Sequence, residues 1–118
     1  MQNYGSNVAV EQIGDVSVLS IQNNLDRYTA ESVRAAYNQI GNGKVVINLG
    51  QVTLTSSRGI ATIVSVMLEG EQKQQKFCLC EISDPCMLII KTMNIMAHIE
   101  GVEIFGSLQE AIEFFKES

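Results

Sequence analysis

The chain has 118 residues, 46% of them hydrophobic, enough to bury one core without cross-links and too few for two. Its formal net charge is −5, and its eight Lys and Arg are scattered. That composition excludes a basic nucleic-acid surface and a cationic patch for an anionic membrane, leaving proteins or small molecules as partners. The first twenty residues carry no basic start followed by a long apolar run, so no export signal is expected. The apolar stretch 85–99 is broken by Lys91, Asn94 and His98, too short and polar to span a bilayer. The expected location is therefore the cytoplasm, with the three cysteines as reduced thiols.

Val8, Val10, Val16, Val18 and Ile21 alternate around Ile13-Gly14-Asp15, which predicts two strands joined as a hairpin. Thr29 then caps a helix whose apolar positions are Val33, Ala36, Tyr37 and Ile40, with Gly41 or Gly43 as its stop. Residues 44–49, KVVINL, read as a short buried strand. Apolar residues at 60, 63, 64, 67 and 68 form the stripe of a second helix. Residues 76–82, KFCLCEI, read as a further strand, and Asp84-Pro85 opens a Met-rich helix. After a turn near Gly101, 102–105 form a last strand. Ser107 and Glu110 form a capping box for a final helix with Leu108, Ala111, Ile112 and Phe115 on one face.

The predicted order is β-β-α-β-α-β-α-β-α across one domain, residues 1–118. Strands separated by single helices imply parallel crossovers, and the opening hairpin makes the sheet mixed, with about five strands and four helices.

GNGK, residues 41–44, has the composition of a phosphate loop but follows a helix and precedes a strand, the reverse of what that loop needs. It reads as a helix stop. Cys78, Cys80, Cys86 and His98 have the right chemistry for zinc. However, a C-x-C in an extended strand lacks the hairpin that presents two sulfurs to one ion, and buried thiols are the favoured reading. No metal, cofactor or catalytic constellation is expected, and the chain is read as a non-enzyme. Met87, Met93 and Met96 could offer an adaptable contact surface, although packing on the sheet is the simpler reading.

Thr55, Ser56 and Ser57 stand in a row before the second helix. One cap needs one hydroxyl, so either the others are incidental or one is placed for modification. Gly59 falls in the first helical turn, where glycine costs about 1 kcal/mol against alanine. It suits a place where another backbone, or a phosphate, comes close.

At 25–33 (LDRYTAESV), 45–63 (VVINLGQVTLTSSRGIATI) and 107–115 (SLQEAIEFF) the chain resembles the STAS domain of bacterial anti-sigma-factor antagonists. The resemblance runs from the first hairpin to the last helix. It implies that Ser56-Ser57-Arg58-Gly59-Ile60 occupies the family's Asp-Ser-Ser/Thr-Gly-Leu/Ile motif, with Ser57 at the phosphoacceptor position. Asp26 matches the acid after the second strand. Ser56 and Asn48 stand where the family has acids. The implied function is a switch: the domain binds an anti-sigma factor bearing a serine-kinase ATPase domain and so releases a sigma factor. Phosphorylation of Ser57 ends the binding, and Asp26, Ser56, Ser57, Arg58 and Gly59 make the contact. The alternative is an unphosphorylated scaffold or accessory subunit of a signalling complex or transporter.

Overall fold

A computed structural model describes residues 1–41, 43–94 and 102–117. Six strands and four helices follow one another as β1 (Gln2–Tyr4), β2 (Val8–Ile13), β3 (Val16–Leu25), α1 (Ala30–Asn38), β4 (Lys44–Thr55), α2 (Ser57–Gln72), β5 (Lys76–Cys80), α3 (Asp84–Thr92), β6 (Glu103–Phe105) and α4 (Leu108–Lys116). The strands lie in sequence order in a single sheet, β1 to β6. The β1–β2 and β2–β3 pairs are antiparallel, and the three later pairs are parallel. The mixed α/β sheet, the hairpin and the four helices are as the sequence predicts.

Three boundaries differ, one of them β5, which ends at Cys80 and not at Ile82. The sheet has six strands rather than five, because Gln2–Tyr4 pairs antiparallel with Val8–Val10 through a turn at Gly5, whose φ is +76°. Mostly polar, this strand has no apolar alternation to announce it. The strand that begins at Lys44 runs to Thr55, six residues beyond Leu49, because β3 continues alongside it and its pairing slips at two places, between Ser20 and Gln22 and between Asn23 and Asn24. The helix after Asp84 is described to Thr92. The turn near Gly101, Met96 and His98 lie outside the described residues.

The two faces of the sheet carry different covers. Leu19, Ile21, Val45, Ile47 and Leu49 pack under α1, α2 and α3, meeting Val33, Tyr37, Ile60, Ile63, Met67 and Ile90. On the other face Val16, Val18, Val46, Cys78 and Cys80 pack under α4, against Ala111, Ile112 and Phe115. The alternation of Cys78 and Cys80 thus aims both thiols at α4, as small apolar core groups. Burial pushes the Cys78 thiol up to about 11 and Cys80 up to about 12, with the Glu103 charge adding to the first and the Glu81 charge to the second. Cys86, on the buried face of α3, is raised by burial as well. Among the described residues no cluster of His, Cys, Asp and Glu could hold a metal ion. No helix among them is long and apolar enough to cross a membrane.

Because β3, β4, β5 and β6 run parallel, the helices that follow them all start at one edge of the sheet. In open α/β sheets that carboxyl edge is where functional loops collect. Asp26, the three hydroxyls, Arg58 and Gly59 all lie there.

Candidate functional site

The site is organised by one carbonyl, that of Leu25 at the end of β3. Leu25 pairs with Thr55 across the sheet. Its oxygen accepts a hydrogen bond from the Thr55 hydroxyl at 2.9 Å and from the Ser56 backbone N–H at 3.3 Å. A Cβ on Gly59 would lie 2.1 Å from that same oxygen and 3.0 Å from the Asp26 nitrogen. The first turn of α2 therefore rests directly on the β3 backbone, and only glycine permits the contact. It is a backbone, of the two possibilities the sequence left open, that comes close at Gly59.

The three hydroxyls have three fates. Thr55 is bonded to Leu25. Ser56 is the N-cap of α2, in extended conformation, and its side chain accepts the Gly59 N–H at 3.2 Å. Ser57 is the first residue of the helix and is exposed. Among the described residues no group hydrogen-bonds its hydroxyl. The cap needs one oxygen, the latch to β3 a second, and the third faces solvent at the positive end of a 16-residue helix.

Asp26 is placed beside this turn but is committed to α1. Its Oδ1 accepts the N–H groups of Tyr28 (2.9 Å) and Thr29 (3.2 Å), while the Thr29 hydroxyl accepts the Asp26 N–H at 2.9 Å. This reciprocal pair, at capping-box spacing, closes the turn that leads into α1. Thr29 is the N-cap residue of α1, as predicted, but its hydroxyl bonds back to Asp26 and makes no bond to the helix's own N–H groups. Asn48, by contrast, lies mid-strand opposite Ser20 and Cys80, and its side-chain oxygen accepts the Gly50 N–H at 2.8 Å. Seven residues of strand separate it from Thr55, roughly 20 Å at a strand's rise per residue. The structure therefore brings together Asp26, Ser56, Ser57, Arg58 and Gly59 and leaves Asn48 apart.

Two exposed apolar residues at the same edge carry no motif: Tyr28, 74% exposed with the Arg27 guanidinium stacked on its ring at 4.7 Å, and Leu54, 61% exposed. Surface Tyr and Arg are typical anchors of protein contacts. Of the Met-rich segment, Met87 is half-buried and Met93 is 37% exposed, whereas Cys86 and Ile90 face the core.

The STAS domain family model matches residues 7–111. Among solved structures, an anti-sigma factor antagonist from Mycobacterium paratuberculosis superposes with a TM-score of 0.79 at 19% identity, over 98% of this chain and 99% of that one. The anti-sigma factor antagonist SpoIIAA in its unphosphorylated form gives 0.75 at 17%, over 94% and 97%. A sulfate transporter family protein from Wolinella succinogenes gives 0.77 at 12%, over 91% and 89%.

Proposed function

The chain belongs to the STAS domain family, and from that premise we propose that it is an anti-sigma-factor antagonist switched at Ser57. The observation that carries the reading is the division of labour among the three hydroxyls. Two are consumed by the fold, and the third stands free and exposed at the start of α2. Modification at Ser57 would cost the fold no bond.

The mechanism follows from charge. Unmodified Ser57 is small and neutral, so a partner surface can lie flat over the start of α2 beside Asp26, Ser56, Arg58 and Gly59. Phosphorylation adds about −1.5 to −2 charges there. The helix end stabilises an anion by roughly 0.3–1 kcal/mol, so folding is kept. A partner fitted to the bare serine meets a hydrated dianion, and binding is lost. In this reading the partner is an anti-sigma factor with a serine-kinase ATPase domain; its capture releases a sigma factor. The domain itself catalyses nothing and works in the cytoplasm. The test is incubation with ATP and the cognate kinase: wild type takes one phosphate and Ser57→Ala none. A fully modified Ser57→Ala protein would rule the assignment out.

A second reading is favoured by Ser56 and Asn48, neutral where the family carries acids. With both charges gone, the same fold could serve as an unswitched scaffold or accessory domain of a signalling complex or transporter. Equal partner binding by wild type and Ser57→Asp would support it.

A further inference from the structure

Beside the switch, α1 and α2 leave a groove of about 580 Å³ between them, two helical turns long. It is lined by small residues, chiefly Ala30, Ala35, Ala61 and Thr62, and by Arg34 and Arg58. Small side chains let another helix come close; the cations among them state what that helix should carry.

The lining itself is net positive in a chain of net charge −5: Arg34 and Arg58 stand against Glu31. All three arginines of the chain, 27, 34 and 58, lie on α1, on the turn before it, or on α2, where Asp26, Glu69 and Glu71 lie as well. Arg34 is held in place by Glu69 and by the Ser65 hydroxyl. Lys73 adds a second cation to Glu69 at 3.3 Å, so that cluster keeps a net positive charge. Arg58 is exposed, and among the described residues no acid pairs with it. Glu31 is the one acid lining the groove.

We infer that this groove seats an acidic amphipathic helix of a partner protein, with Arg58 and Arg34 pairing its carboxylates. Arg34 reaches the level of Ser65, seven residues along α2 from Arg58, which is about 10.5 Å of helix. Carboxylates two turns apart on the incoming helix meet both guanidinium groups, and apolar side chains between them rest on the alanines. Only the identity of the partner rests on the proposed function; the groove and its charge do not. The position also gives the switch a second action: a phosphate on Ser57 competes with the partner's carboxylate for Arg58.

The test uses two capped, helix-forming 15-residue peptides of Leu and Ala. One carries Glu at i, i+4 and i+7, the other Lys at the same positions. Each is titrated into the isotopically labelled protein at low salt. The expected result is that the Glu peptide shifts the amides of Ala30, Arg34, Arg58, Ala61 and Ser65 and the Lys peptide does not. Arg58→Glu weakens the Glu peptide by at least about tenfold while the unfolding midpoint stays unchanged, and added salt weakens binding further. Equal binding of the Lys peptide, shifts confined to another face, or no binding at millimolar peptide would overturn the inference. Neither kinase nor phosphate enters this experiment, so its failure leaves the Ser57 switch standing, and the reverse also holds.

Discussion

Replacing Gly59 by alanine tests the contact that builds the site. The added Cβ would sit 2.1 Å from the Leu25 oxygen and 2.6 Å from its carbonyl carbon. Both atoms belong to backbone inside a strand pair, so neither can swing aside. To reach ordinary contact, α2 must retreat by roughly 1 Å. That retreat stretches the Ser56 N–H bond and the Thr55 hydroxyl bond to the same carbonyl. Overpacking of this kind costs about 1–3 kcal/mol, and each weakened bond about 1 kcal/mol at most. Alanine returns about 1 kcal/mol as the better helix former. The net loss is about 2 kcal/mol. At a urea slope of about 1.5 kcal/mol per molar, the unfolding midpoint falls by roughly 1 M. Gly43→Ala is the control, since a Cβ there meets nothing within 4 Å. A Gly59→Ala protein as stable as wild type, or more stable, would refute the account of why glycine stands in this helix.

Ser56→Ala removes the α2 cap and should cost about 1 kcal/mol in urea unfolding, whereas Ser57→Ala should stay within about 0.5 kcal/mol. The reverse order would mean that the two serines have been assigned the wrong roles. Asp26→Ala, losing two accepted N–H bonds in the turn that leads into α1, should destabilise by about 1 kcal/mol, and Asp26→Asn by less, in the same assay. The cysteines give a pH dependence. Folding raises the Cys78 and Cys80 thiols to about 11 and about 12, so the native state holds protons that the unfolded chain gives up. Their contribution is complete below the ordinary thiol range near pH 9 and is lost as pH rises through the folded values. Urea midpoints measured from pH 8 upward should therefore fall above pH 9, and less steeply in Cys78→Ala/Cys80→Ala. The same burial predicts that a thiol reagent at pH 8 labels the native protein far more slowly than the unfolded one.

The sequence carried the parallel half of the fold well, because buried branched strands and helices with a clear apolar face each announce themselves through periodicity. It failed at β1 because in Gln2-Asn3-Tyr4 only Tyr4 packs on the core, too little to show an alternation. It stopped β4 early because the apolar branched run ends at Leu49, while the pairing that prolongs the strand comes from β3 and is a tertiary fact. Gly59 was legible as an anomaly, a costly residue in a helix, though the carbonyl it makes room for was not. Thr29 was legible as the cap of α1; that its hydroxyl turns back to Asp26, three residues earlier, was not. The family motif pointed to Ser57 but could not show that the Thr55 and Ser56 hydroxyls bond within the fold. The arginine-lined groove was invisible, since it depends on how two helices sit side by side.

The central claim is that Ser57 is a phosphorylation switch for partner binding. The most direct measurement is intact mass and partner affinity together, on the protein incubated with ATP and its cognate kinase-bearing anti-sigma factor. The account predicts one added phosphate, absent in Ser57→Ala, and loss of binding by the modified form. A phosphate that persists in Ser57→Ala, or a modified protein that binds as tightly as the bare one, would contradict it.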